Sequence, residues 1–219
     1  MKISFRFIPF IFYLFINIAS GTVNSNLASS IALGLSDSYA INPFDSNRFL
    51  FQSSISLESF NKNRGNWYYP DIGFGYKISK NLAITGSVFS YDSGNFSYQK
   101  TAAGFQYFFG SNDTLNWVSS LKRVNLKSIK NYYINNITFN ICKWIQYKTI
   151  LFRLGSGFTF YKKTNLSIQS NLFRTQKGQV NFIFISSVFP INYFKLGLEA
   201  KINPNKFYFS LFLKKDFFK

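Results

Sequence analysis

The chain has no histidine, one cysteine, one methionine and only 8 acidic residues among 219. Each shortage removes a kind of chemistry. Without histidine there is no His-based triad, no imidazole general base and no His-ligated metal. Cys142 has no second cysteine to form an internal disulfide with, and it lies far from any N-terminal lipid-attachment position. The few carboxylates form no catalytic pair in sequence. Asp37 and Asp45 fall in a turn-rich stretch, and Asp71, Asp92 and Asp113 read as loop or strand-end residues. No run of oxygen ligands has the regular spacing of a calcium loop. No serine sits in a Gly-x-Ser-x-Gly elbow, and Gly155-Ser156-Gly157 has no base nearby. The expectation is a protein that is not an enzyme and carries no metal or cofactor.

Long apolar runs are also scarce. The main one, Phe7–Ile18, follows Lys2 and Arg6 and is followed by Ala19-Ser20-Gly21. A positive start, a short apolar stretch and small residues are the parts of an export signal. Residues 1–21 are therefore expected to be cleaved, because the run is short for a bilayer that needs about 20 apolar residues. The longest uncharged run after it, Gly178–Phe194, contains Asn181, Ser186, Ser187, Pro190 and Asn192, and it alternates. A helical inner-membrane protein is excluded on this ground.

What the chain has in quantity is aromatic residues, with 29 Phe and 14 Tyr, against a charged fraction of 15%. They are arranged with a period of two. Ile150, Phe152, Leu154, Phe158 and Phe160 alternate with Arg153, Gly155, Gly157 and Thr159. Phe194, Leu196, Leu198, Ala200 and Ile202 alternate with Lys195, Gly197, Glu199 and Lys201. Side chains on a strand point alternately to its two faces, so each segment has one apolar and one polar side. Repeated to the C-terminus behind an export signal, this pattern predicts an all-β fold: one antiparallel transmembrane β-barrel of a bacterial outer membrane.

Eleven segments read as strands: Phe49–Leu57, Asp71–Ile78, Leu82–Tyr91, Thr101–Phe109, Trp117–Leu126, Tyr133–Trp144, Thr149–Tyr161, Leu166–Phe173, Gln179–Val188, Phe194–Ile202 and Phe207–Leu213. Trp117–Leu126 alternates poorly and reads equally as loop. Leu27–Tyr39 would make a twelfth. The mature length fits roughly 10 to 12 strands of about 10 residues. Residues 22–48 form an N-terminal segment, either a plug or a first strand, and residues 49–219 form the barrel.

Placement then follows from cost. A mid-membrane Arg or Lys facing lipid costs roughly 2–4 kcal/mol, so charges belong inside. Arg153, Lys195, Glu199 and Lys201, with Asn136, Thr138 and Asn140, are the lumen-facing polar candidates, and Glu199 has Lys195, Lys201 and Arg153 as alternative partners. Trp67, Tyr68, Tyr69, Trp144 and Tyr147 lie near strand ends and are expected at the membrane interface. Glycines at 73, 75, 155, 157 and 197 fall on the polar face and read as curvature points. Phe173, Phe189 and Phe212 are large enough to fill a narrow lumen.

The formal charge of +17 falls to +15 once Lys2 and Arg6 leave with the signal. Scattered basic residues on an exported chain do not form a nucleic-acid footprint. The excess reads first as composition, since Lys, Asn, Ile, Phe and Tyr are all abundant. The functional readings are rim lysines meeting lipid phosphates or a basic lumen favouring anions. Expected partners are outer-membrane lipid, the barrel-assembly machinery and a hydrophobic or anionic small molecule.

The stretch Ala28-Ser29-Ser30-Ile31-Ala32-Leu33-Gly34-Leu35-Ser36-Asp37-Ser38-Tyr39-Ala40 resembles the N-terminal segment of a broad barrel group. That group holds long-chain fatty-acid transporters and outer-membrane proteins of the type IX secretion system. Ala28, Gly34 and Ala40 match its small-residue stretch, and Asp45 stands where an acidic residue follows. Asn42-Pro43 comes earlier than the family's turn, and members of the group are much longer. The resemblance implies an outer-membrane location and handling of a hydrophobic ligand or a secretion partner. The apolar last strand, ending in Phe217 and Phe218, is similar to the C-terminal assembly signal of such barrels, apart from the final Lys219.

Two functions remain open on sequence: a pore or transporter for small or hydrophobic molecules, and a closed barrel that serves as a structural or interaction unit. A secreted soluble β-sandwich or lipocalin-like binder is the third reading, disfavoured by the Phe-rich faces.

Overall fold

Strands with one apolar and one polar face need two different surroundings, and a sheet closed on itself supplies both. The computed structural model describes residues 27–36, 39–59, 68–93, 96–111, 114–128, 132–165, 175–204 and 206–217. The expected signal (residues 1–21), Trp67, the segment Leu166–Phe173 with Phe173, and Phe218 lie outside them. Among the described residues one helix, α1 (Leu27–Leu35), precedes ten strands. These are β1 (Phe49–Ser59), β2 (Tyr68–Lys77), β3 (Leu82–Ser93), β4 (Phe96–Ser111), β5 (Thr114–Ser128), β6 (Tyr132–Tyr147), β7 (Ile150–Asn165), β8 (Thr175–Ile191), β9 (Phe194–Asn203) and β10 (Lys206–Phe217).

Each strand pairs antiparallel with its chain neighbours, and β1 pairs with β10 from Phe49↔Phe217 to Ser59↔Phe207 to close the barrel. No sheet edge remains, which is what a β-structure in hydrocarbon requires. The alternation of the sequence becomes an inside-out distribution. Ile185, Leu154, Ile137 and Phe160 are about half exposed on the outer wall, at 51%, 57%, 48% and 50%. Residues of the opposite parity, such as Ser186, Arg153, Asn136 and Thr159, are buried inside. An apolar exterior with charges inside is stable only where the exterior meets lipid.

Rings cluster near the strand ends. Tyr107, Phe109 and Trp117 stack in series, with centroids 6.1 and 6.3 Å apart. Tyr91 and Tyr98 meet at 5.6 Å toward the other end. Two tight turns, Tyr147–Ile150 and Ile191–Phe194, pass through positive φ at Lys148 (53°) and Asn192 (49°). Short turns face the periplasm in bacterial barrels and longer loops face outward. The turn end therefore holds the start of β1 and the end of β10. Strands β4 to β8 run to 15–17 residues, longer than the roughly 9–11 needed to span, and the excess projects on the loop side.

Three points that the sequence leaves open are resolved. Leu27–Tyr39 is not a strand: Leu27–Leu35 is helical and lies inside the barrel, with Ile31, Ala32 and Leu33 fully buried. Ser36 ends the helix by donating from both its backbone N and its Oγ to Leu33 O. Trp117–Leu126 is not loop but the body of β5; its inward Val118, Val124 and Leu126 join the buried core and blur the alternation. The strand number is ten. This lies within the expected 10 to 12, and β7 pairs with β8 from Leu151↔Val188 to Thr164↔Thr175.

If the outer wall faces hydrocarbon, Ile185→Arg should cost about 2–4 kcal/mol in reversible unfolding from lipid bilayers. The conservative Ile185→Leu should leave stability close to that of the parent.

Candidate functional site in the barrel lumen

The lumen wall is built in rows across the strands. Register places Trp144, Arg153, Ser186, Glu199, Ser210 and Ser56 side by side, each on its own strand. Ser186 is small, so Arg153 reaches across it. Arg153 Nε donates to Ser186 Oγ at 3.0 Å and Nη2 donates to Glu199 Oε2. Lys201 Nζ lies 3.2 Å from Glu199 Oε1. Arg153 also stands over the Trp144 and Phe184 rings, at 5.7 and 4.9 Å from their centroids. All three charged groups are buried. Such groups persist in a dry interior only when each finds a partner. A second buried pair, Lys100 Nζ to Asp71 Oδ2 at 2.5 Å, links β4 to β2. Asp71 is thus a lumen residue and not a loop residue.

Residues 27–36 and 39–48 of the N-terminal segment run down this lumen. At the loop end, Lys206 Nζ donates to Ser29 Oγ (2.8 Å) and Ser30 Oγ, and Tyr208 Oη donates to Ser30 O at 2.6 Å. Asn136 Nδ2 donates to Ala32 O at 3.1 Å. Midway, Gln106 brackets the chain: its Nε2 donates to Tyr39 O, and its Oε1 accepts from Ile41 N at 3.1 Å. Lys214 Nζ donates to Ala40 O at 2.7 Å. At the turn end, Lys77 Nζ donates to Pro43 O and Asp45 O. Lys195 sits there between Asp45 and Asp216, at 2.5 and 2.6 Å.

Inward glycines make the room. A Cβ at Gly73 would overlap the Tyr39 ring, and one at Gly75 would overlap Ile41. Gly155 and Gly157 receive the Phe184 and Phe182 rings, and Gly197 receives Phe212. These positions are sockets for side chains, not mere points of curvature. Trp144, Tyr208, Phe108 and Phe182 occupy much of what remains. A small polar cavity beside Ser36 and Tyr39, lined by Gln106, Ser120, Lys122, Thr138 and Asn140, has room for about one water molecule.

Of the candidates read from sequence, Arg153, Glu199, Lys201, Asn136, Thr138 and Asn140 all line this interior. Thr138 and Thr159 share a hydroxyl hydrogen bond at 2.5 Å, and Asn140 Oδ1 accepts from Ser120 Oγ at 2.8 Å. Lys195 lies apart from Glu199, at the turn-end rim and half-buried. Trp144 is a correction. It was expected at the interface, three residues from Tyr147, but its parity matches Asn140 and Cys142, and it points inward with 2% exposure. Tyr147 is 62% exposed at the turn end. Tyr68 and Tyr69 open β2, and their side chains lie outside the description. Phe212 is inside, whereas Phe189 has outward parity. Sequence reading missed Lys77, Lys100, Lys122, Lys214 and Gln106. The signal was their shared inward parity, cut off at segment ends such as Thr101 and Leu213.

Closure, a lipid-type exterior and a polar interior define the class: this is an outer-membrane β-barrel. No protein-family model and no curated protein sequence matches the chain. Solved barrels are similar to it at low identity. A KdgM porin in complex with disordered oligogalacturonate aligns over 77% of this chain and 99% of that one, at 6% identity and a TM-score of 0.44. The outer membrane protease OmpT from Escherichia coli aligns over 83% and 100%, at 7% identity and 0.43. The N-terminal barrel domain of Pseudomonas aeruginosa OprF aligns over 78% and 98%, at 12% and 0.33. Likeness at this level carries no functional argument. The resemblance of Ala28–Ala40 to the fatty-acid transporter group is not confirmed by any of them.

Removing the carboxylate from the central row isolates two buried cations. Glu199→Gln should cost about 3–5 kcal/mol of stability, read by chemical denaturation in detergent. Replacing both ends, Arg153→Met with Glu199→Gln, should restore part of it, because one stranded charge is gone.

Proposed function

We propose that the protein is an outer-membrane barrel sealed by its own N-terminal segment, and that it works as a gated conduit and not as a standing pore. The observation that carries this reading is the path of residues 27–36 and 39–48 along the lumen from loop end to turn end, with hydrogen bonds at both ends and midway. Polar contacts to backbone carbonyls and the rim ion pair Lys195–Asp45 hold the seal beside an apolar anchor, since Ile31, Leu33, Leu35 and Ile41 belong to the buried core. A partly exposed pair of this kind contributes about 1 kcal/mol or less, so the rim contact is the weakest of these and the place where release would begin. The absence of histidine from the sequence supports a role without acid–base catalysis of the kind histidine provides.

The tight interior packing around Trp144, Phe182 and Tyr208 favours a second reading, an interaction barrel that never opens. Electrical recording separates the two. Reconstituted in planar bilayers, the protein should be silent at low voltage. Lys195→Ala, which frees Asp45 at the rim, should raise the frequency of openings severalfold while leaving the barrel folded, as judged by its mobility shift on heating. A steady current through the unmodified protein would refute the seal, and silence of the variant would favour the interaction barrel.

A further inference from the structure

Charge inside the lumen is lopsided. Among the described residues, the buried charged side chains are six cations, Lys77, Lys100, Lys122, Arg153, Lys201 and Lys214, against two carboxylates, Asp71 and Glu199. Asp71 meets Lys100, and Glu199 meets Arg153 and Lys201. The other three cations face the N-terminal segment, and Lys77 and Lys214 also lie within electrostatic reach of the Asp45 and Asp216 carboxylates at the turn end. Lys214 Nζ donates to Ala40 O, and Lys77 Nζ donates to the carbonyls of Pro43 and Asp45. Lys122 Nζ lies 5.2 Å from the Tyr39 ring centroid. Trp144 adds a buried N–H that meets no protein acceptor among the described residues, beside Arg153 and Lys214.

An ammonium in a confined space must be solvated by something. While the segment is seated, its carbonyls, the Asp45 carboxylate and the Tyr39 ring contribute to this. When it leaves, those acceptors leave with it, and water and anions are what remain to take their place. The cations are spread along the axis. Lys77 is at the turn end of its strand and Lys214 is close above. Arg153 and Lys201 follow, with Lys122 and Lys100 farther toward the loops. A ladder of positive groups in a narrow low-dielectric tube attracts anions and repels cations along its length.

We infer that the lumen behind the N-terminal segment is an anion-binding conduit, selective for small anionic solutes once the segment is displaced. This rests on the reading of the segment as a releasable seal. The test uses the full chain with Gly73→Val and Gly75→Val, which place side-chain atoms where Tyr39 and Ile41 now lie. Heat-modifiable gel mobility checks that the barrel is formed, and currents are recorded across a KCl gradient. The expected result is new conductance in the variant, with a reversal potential displaced toward the chloride equilibrium potential. Adding Lys122→Glu and Lys214→Glu should move it back toward the potassium value. If the double valine variant does not fold, the same recording is made on the openings of Lys195→Ala. Folded variants that stay silent, or that conduct without preferring chloride, overturn the inference. Steady current in the unmodified protein would instead sink the seal on which it rests.

Discussion

A β-strand inside hydrocarbon cannot leave an edge unpaired, because each unsatisfied N–H or C=O there costs several kcal/mol. Everything else in this molecule depends on meeting that demand. The β1–β10 pairing, from Phe49↔Phe217 to Ser59↔Phe207, joins the two ends of the sheet. Once the sheet is closed, strand parity has only two destinations. Ile, Leu and Phe go to the lipid side, and the polar residues have nowhere to go but a narrow interior.

The interior then sets the second problem. Ten strands leave too little space for bulk water once Trp144, Tyr208, Phe108 and Phe182 point inward, yet six buried cations also face it. Two devices solve this. Small residues let partners meet across strands, as when Arg153 passes over Ser186 to Glu199. The N-terminal segment supplies the remaining acceptors, and glycines at 73 and 75 give it room. Seal and wall are therefore complementary. Among the described residues the wall buries more cations than carboxylates, and the segment offers its backbone carbonyls to part of that charge.

Much of this was legible in the sequence, for a physical reason. Period-two alternation survives wherever one face meets lipid and the other meets polar groups, so β2, β7 and β9 could be read directly, together with the inward positions of Arg153, Glu199 and Lys201. It fails where the inner face is also apolar. Val118, Val124 and Leu126 of β5 belong to the buried core, and that strand looked like loop. Trp144 misled because nearness to a strand end and strand parity gave opposite answers, and parity prevailed. The helix at Leu27–Leu35 was hidden for another reason: a segment buried on all sides carries no amphipathic signature. The Asp71–Lys100 pair joins strands β2 and β4 across β3, and only the registers of both hairpins bring the two residues together.

The central claim is that the N-terminal segment lies inside the barrel. The most direct measurement is thiol labelling of the folded protein with a membrane-impermeant reagent, in a Cys142→Ser background. Ala40→Cys, at a position 3% exposed, is compared with Tyr193→Cys, at a turn position 86% exposed. The account predicts rapid labelling at 193 and strong protection at 40, lost when the barrel is unfolded. Equal labelling of both sites in protein that keeps its folded gel mobility would contradict it.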